Sequence, residues 1–313
     1  MKTDPITPAH LHASVVAVPP LARNGDFSLN RAANRTLLRF LESAGVRSVM
    51  YGGNANFYHL GLNDYAATVD FLAETAGPDT WILPSVGPDY GKMLDQAAVL
   101  RTRAFPTAML LPMSFPFTSD GLATGIRHFT DAYGKPAVLY LKADPYVRPE
   151  ALGRLYEEGR IVAIKYAVVR SDPAADPYLA EIVKAIPRGV VVSGIGERPA
   201  IVHVRDFGLP SFTSGSVCVA PHGSMQMLAL LKARRLEEAQ RVRADYLPLE
   251  DLRDAISPIR VLHDAVTLAG IADMGPMLPL LTGLDEAQRA RVAPVARRLF
   301  EVDQARAAQP AAA

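Results

Sequence analysis

The run IVAIKYAVV, residues 161–169, holds one lysine, Lys165, in a stretch that is otherwise apolar or aromatic and is bounded by Arg160 and Arg170. A run of this kind suits a parallel strand covered on both faces, where an unpaired ammonium is costly. Desolvation lowers the pKa of a lysine amine, and a neutral amine can attack a ketone to give a Schiff base. The protonated imine then draws electrons from the adjacent carbon, so bonds to that carbon can be made or broken. Two structural readings stand beside this one: an ion pair with a buried carboxylate, or a stem that lines the interior while its head reaches water. The residues alone leave the three open.

Tyr140, in AVLYLK (137–142), lies one strand earlier at a similar depth. A phenol there could pass a proton to or from a carbinolamine, or it could be a core tyrosine with a satisfied hydroxyl. In MYGGNANFYHL (50–60), Gly52 and Gly53 allow a sharp turn, and N–H groups near Asn54 and Ala55 could form a nest for a carboxylate. Two glycines after a strand also serve as a plain turn. The single cysteine, Cys218, lies in GSVCVAP and reads as a small core residue rather than a reactive thiol. The seven histidines (His10, His12, His59, His128, His203, His222 and His263) show no metal-ligand spacing, so no metal is expected. His59 and His222 fall near strand ends and could reach a shared mouth.

Positioning these groups requires a scaffold, and the chain alternates β-rich runs with amphipathic segments at a period of roughly 25–30 residues. Strands are expected within 14–18, 48–53, 81–86, 108–113, 137–142, 161–167, 190–194 and 211–219. Ser28 is the expected N-cap of a helix that closes at Gly45. Asp176 caps a second helix with Pro177 in its first position, and Pro187 with Gly189 ends it. Eight such units predict an α/β fold, a (β/α)8 TIM barrel whose core spans residues 1–222. Residues 223–313 supply the last barrel helix and a C-terminal helical extension of about three helices, with a frayed end at QARAAQPAAA. A doubly wound open sheet is the alternative architecture. It loses its main support because neither G-x-G-x-x-G after the first strand nor G-x-x-x-x-G-K-S/T is present.

The 313 residues are 49% hydrophobic with a formal net charge of +1, which gives no electrostatic argument for nucleic acid or an anionic membrane as partner. Small molecules or proteins remain. One cysteine cannot form an internal disulfide, and the start MKTDPITPAHLHAS has no apolar signal core, so a cytoplasmic protein is expected. The cluster RRLEEAQRVR alternates bases with acids and reads as a solvated helix face.

The ordered series VAVPPLARNGDFSLN, YGGNANFYHL, VLY, VAIK, VVVSG and SGSVCVAP resembles the dihydrodipicolinate synthase and N-acetylneuraminate lyase family over residues 13 to 300. The resemblance implies a (β/α)8 barrel, a dimer or tetramer, and a class I aldolase mechanism on pyruvate or another 2-oxo acid with no external cofactor. It makes Lys165 the Schiff-base lysine and Tyr140 its proton-transfer partner. Gly53, Asn54 and Ala55 match the family's carboxylate-binding G-T-T-G-E loop, and Gly194 and Gly215 would line the mouth.

Four departures accompany the match. Asn54 and Ala55 replace the paired threonines. LPMSFPF, with Met113 and Ser114, replaces the P-Y-Y motif that supplies a tyrosine across the subunit interface. YLKADPYVRP offers only Lys142 and Arg148 where the synthase has a carboxylate-holding arginine. AIKYA replaces G-x-K followed by an acid. The departures weaken dihydrodipicolinate synthesis itself and favour a different 2-oxo acid. A non-catalytic 2-oxo-acid-binding barrel is the reading from another class.

Overall fold

Apolar, β-branched runs covered on both faces favour parallel strands, and eight of them form here, each inside an expected run. In the computed structural model, which describes residues 1–308, these are β1 (Val16–Ala17), β2 (Ser48–Tyr51), β3 (Trp81–Val86), β4 (Met109–Leu110), β5 (Ala137–Leu141), β6 (Ile161–Tyr166), β7 (Val191–Ser193) and β8 (Thr213–Ser214). All pair in parallel, in the order β7-β6-β5-β4-β3-β2-β1-β8. A parallel bridge between Ser193 and Phe212 brings β7 to the start of β8 and closes the barrel. Only Val162 and Tyr140 among the residues of β5 and β6 keep appreciable exposure.

Helix α1 (Pro8–Ala13) precedes the barrel. Eight helices then connect or follow the strands: α2 (Arg31–Ser43), α3 (Leu62–Thr75), α4 (Tyr90–Arg101), α5 (Ser119–Tyr133), α6 (Pro149–Glu157), α7 (Pro177–Ala185), α8 (Glu197–Phe207) and α9 (Pro221–Lys232). Their buried faces, such as Leu37, Leu38 and Leu41 of α2 or Ala151, Leu152 and Leu155 of α6, recur at helical spacing. The extension is α10 (Leu236–Ile256), α11 (Pro258–Leu268) and α12 (Glu286–Ala307). The (β/α)8 barrel with a C-terminal helical extension is therefore the fold.

Local expectations fare unevenly. Asp176 caps α7 as expected, its carboxylate accepting from the Leu179 N–H at 3.0 Å; it also accepts from the Tyr166 hydroxyl at 2.6 Å, tying the end of β6 to the next helix. Asn30, not Ser28, caps α2, because a bridge between Arg23 and Leu29 keeps the chain extended past Ser28. The first two helices after the last strand are separate. Arg234 adopts a left-handed conformation (φ 59°) that separates α9 from α10. The eighth strand ends at Ser214 and gives way to a 3-10 turn, Ser216–Cys218, which leaves Gly215 at the barrel rim and Cys218 fully buried. Gln304–Ala307 is helical rather than frayed, and the rest of the expected end, residues 309–313, lies outside the described residues.

Candidate active site

The register of β5 against β6 sets Tyr140 beside Lys165, and β6 against β7 sets Lys165 beside Val192. Both side chains lie near the carboxyl ends of their strands, where barrel active sites form. They face a cavity of about 140 Å³ that is also lined by Gly53, Asn54, Gly194 and Gly215. Larger grooves of about 480 and 380 Å³ lie elsewhere, one between α9, α10 and α12 and one beside Arg23, and neither contains a strand-end lysine.

Lys165 is 6% exposed, and its amine has no hydrogen bond or ion pair among the described residues. Its Nζ sits 4.3 Å from the centroid of the Tyr140 ring. That contact favours the ammonium, yet burial outweighs it and, with a smaller push from the Lys142 charge, lowers the amine to about 7. The ion-pair alternative for Lys165 is thus removed by its surroundings. Burial pushes the Tyr140 hydroxyl up to about 12, opposed by the nearby Arg253 cation, so the phenol carries its proton at neutral pH.

The strand-end glycines are small for steric reasons. A methyl group on Gly194 would lie 2.6 Å from the Tyr166 carbonyl oxygen and 2.9 Å from Lys165 Cγ. One on Gly215 would strike Leu262 and come within 2.9 Å of Asn54 Nδ2. Both glycines let backbone approach where a side chain would close the mouth.

The loop after β2 is a 3-10 turn, Gly53–Ala55, ended by Asn56 in a left-handed conformation (φ 58°). Asparagine tolerates that region better than most residues. The Asn54 side chain donates to the Val18 carbonyl at 2.8 Å, fixing the turn against β1. The Gly53 and Asn54 N–H groups open the turn and have no partner within it. Ala55 departs from the expected arrangement: it is buried outside the cavity lining, and its N–H donates to the Gly52 carbonyl at 3.1 Å. Of the three N–H groups in this turn, only those of Gly53 and Asn54 lack a backbone acceptor.

The other sequence candidates separate from the cavity. His222 pairs with Asp303 at 2.9 Å, and His59 lies beside Lys92, so neither lines the mouth. Arg148 is turned to the surface, paired with Asp120, whereas Lys142 lines the cavity. Met113 uses its N–H on the Tyr146 hydroxyl at 2.9 Å. Among the described residues no group of three or more His, Cys, Asp or Glu is placed to hold a metal ion, and no helix is long and apolar enough to cross a membrane.

Several lining residues escape the sequence reading, Tyr58 and Arg253 foremost. Tyr58 packs its ring against Gly53, and burial together with Tyr140 raises its hydroxyl far above the usual range. Its position in the quoted loop was visible, but its direction depends on the left-handed turn at Asn56. Arg253, from α10, enters the lining together with Asp254, and Pro258, Ile259 and Leu262 follow from α11. In the sequence Arg253 sits in EDLRDAI, where it looks like any ion-paired residue on a helix surface.

The family model for the dihydrodipicolinate synthetase family matches residues 12–297. The chain belongs to that family, which is one of class I aldolase-type lyases. Solved structures agree on the fold. A dihydrodipicolinate synthase from Bacillus clausii superposes with TM-score 0.81 at 20% identity, covering 92% of this chain and 98% of its own. The Escherichia coli prophage protein YagE, solved in complex with pyruvate, gives 0.77 at 18% over 91% and 98%. A sialic acid aldolase from Ruminococcus gnavus gives 0.81 at 11% over 94% and 99%. No curated protein sequence matches the chain.

Proposed function

We propose that this enzyme is a Schiff-base-forming lyase of pyruvate or another 2-oxo acid, with Lys165 as nucleophile. One observation carries the reading: a buried lysine amine without a partner opens on the mouth cavity, and its environment holds it near half-neutral at pH 7. The 2-oxo acid's carboxylate binds the Gly53 and Asn54 N–H groups, which directs its ketone carbon at Nζ. Nζ attacks that carbon, and the carbinolamine loses water with a proton delivered by the Tyr140 hydroxyl. The resulting iminium accepts the electron pair of the bond broken at the next carbon. Aldol cleavage, condensation and dehydration share this intermediate, and none requires an external cofactor because the imine is the electron sink.

Self-association as a dimer or tetramer in the cytoplasm completes the proposal. Phe115 is 84% exposed beside an apolar groove lined by Tyr90, Met113 and Phe117, a surface better suited to a second copy of the chain than to water. Sedimentation should show a species larger than the 33.8 kDa chain.

Incubation with pyruvate, reduction with borohydride and mass analysis test the chemistry. A pyruvate-sized adduct mapped to Lys165 is expected, and Lys165→Ala should give none while retaining its circular dichroism. Trapping that survives in Lys165→Ala would refute the assignment.

A further inference from the structure

The cavity has two poles. Gly53 and Asn54, at the end of β2, form one. The other carries two cations and one acid: Lys142, beyond β5, and Arg253 with Asp254, from α10, line the cavity, and β5 and β7, whose ends Lys142 and the Arg253-bonded Ile195 follow, each stand three strands from β2 in the barrel. Lys142 makes no ion pair among the described residues. Arg253 is 5% exposed and held from several sides. Its Nη1 donates to the Ile195 carbonyl at 2.9 Å and to Glu250 at 3.1 Å, and its Nε donates to Asp254 at 2.9 Å. Its Nη2 is buried with no hydrogen-bond partner.

A buried guanidinium nitrogen without an acceptor carries a desolvation penalty, which an arriving acceptor relieves. The acids already present compensate the charge only partly. Asp254 divides itself between Arg253 and Arg198, the latter at 3.4 Å. Burial and the adjacent Glu197 push the Glu250 carboxyl well above the usual range, and its Oε1 is shared between the Arg253 guanidinium and the Glu197 N–H. Once Lys165 becomes an iminium, the cavity gains a further positive charge. One substrate carboxylate at the Gly53 turn leaves the opposite wall uncompensated.

The apolar part of the lining includes Ile195, Ile259 and Leu262. The neutral polar side chains in the lining are Tyr58, Tyr140, Thr213 and Asn54, and Asn54 already spends its amide on Val18.

We propose that Arg253, assisted by Lys142, binds a second carboxylate, so that the preferred substrate is a 2-oxo diacid with an apolar middle. The assignment rests on Lys165 forming the imine, since that fixes which end of the substrate lies at the Gly53 turn. Arg253 is then a specificity-determining residue, and Glu250 is a positioning residue that orients it.

The test compares 2-oxoglutarate with 2-oxovalerate, which have equal chain length and differ in the distal carboxylate. The concentration giving half-maximal borohydride trapping at Lys165 is measured for each by intact mass. A charge-assisted hydrogen bond predicts that the wild type favours 2-oxoglutarate by about 10- to 100-fold. Arg253→Gln should weaken trapping of 2-oxoglutarate at least about tenfold more than that of 2-oxovalerate, a split that a purely structural role would not produce. Lys142→Met should lose part of the preference in the same direction.

A wild type that does not distinguish the two acids overturns the proposal, and so does an Arg253→Gln that weakens both equally. If Arg253→Gln fails to fold, the wild-type preference and its reduction in Lys142→Met decide. If neither acid is trapped, the imine reading falls separately. Calorimetric binding of glutarate against valerate to the wild type, with Lys142→Met as the control, then decides the subsite: a glutarate preference reduced in the variant supports it, and equal binding ends it.

Discussion

At Lys165 two opposed influences act on one proton. The Tyr140 ring favours the ammonium, while burial and the Lys142 charge favour the amine, and the second pair wins with a value of about 7. Imine formation needs the amine, so pyruvate trapping should rise with pH and level off above about 7, losing roughly tenfold per unit on the acid side. Lys142→Met removes the like charge and should move that midpoint upward. A pH series of trapping rates on both proteins checks this, and a midpoint near the ordinary lysine value in the wild type would contradict it. The same proton bears on stability. The unfolded chain holds it up to about pH 10 and the folded chain only to about 7, so between those values unfolding takes up a proton and folding strengthens as pH rises. Below pH 7 both states are charged and the fold bears the full cost of the buried ammonium. Lys165→Met should therefore stabilise the protein by about 2–4 kcal/mol at pH 6, with the gain vanishing by about pH 10. Urea titrations at the two pH values measure it. Lys165 was legible in the sequence because one ammonium interrupts an apolar run, and Tyr140 because neighbouring parallel strands align at equal depth. Ala55 was misjudged, since whether an N–H is free depends on the hydrogen bonds of its turn.

The element that most tightly constrains the site is the β6–β7 pair. Gly194 N–H donates to the Tyr166 carbonyl at 2.6 Å, and the absent Gly194 side chain leaves room for the Lys165 stem. In Gly194→Ala the methyl group would meet backbone on one side and Lys165 Cγ on the other, and backbone cannot yield as a flexible side chain can. The variant should keep its barrel, lose about 1–3 kcal/mol of stability, and trap pyruvate at least about tenfold more slowly because Nζ is displaced. Thermal melting and trapping rates on one preparation separate the two effects; unchanged trapping would show that Gly194 does not set the lysine's position. At this scale the strands were legible from their apolar runs and α7 from its Asp-Pro start. Ser28 failed as a cap because an antiparallel bridge between Arg23 and Leu29 folds this segment back on itself and holds the chain extended beyond Ser28. The break at Arg234 has no sequence punctuation, since a left-handed arginine looks like any other residue of a charged helix.

Across the whole molecule, the extension lines the cavity that holds Lys165. α10 packs along α8 and α9, and α11 lies against the 3-10 turn that carries Asn54, so Arg253, Asp254, Pro258, Ile259 and Leu262 reach the mouth only because the chain folds back over the barrel. That return is invisible to local pattern, because α10 is mostly polar and its inward residues are separated by solvated ones. The same packing joins the stability of the two parts. Tyr246 donates to the Ala220 carbonyl at 2.6 Å, and Asp303 accepts the Gly223 N–H at 2.7 Å, so both α10 and α12 satisfy backbone groups where α9 begins. A chain ending after Ala233 would retain every strand and all eight barrel helices, yet it would expose the faces of Met227 and Leu231 and leave those backbone groups without partners. Each fully exposed aliphatic side chain costs about 1.5–3 kcal/mol, and each buried group left unpaired costs about 1–3 kcal/mol, against a total stability of about 5–15 kcal/mol. The truncated chain should show no cooperative thermal transition and no pyruvate adduct. A cooperative melt accompanied by trapping at the wild-type rate would instead show that the barrel positions Lys165 unaided and that α10 and α11 only adjust which acid enters.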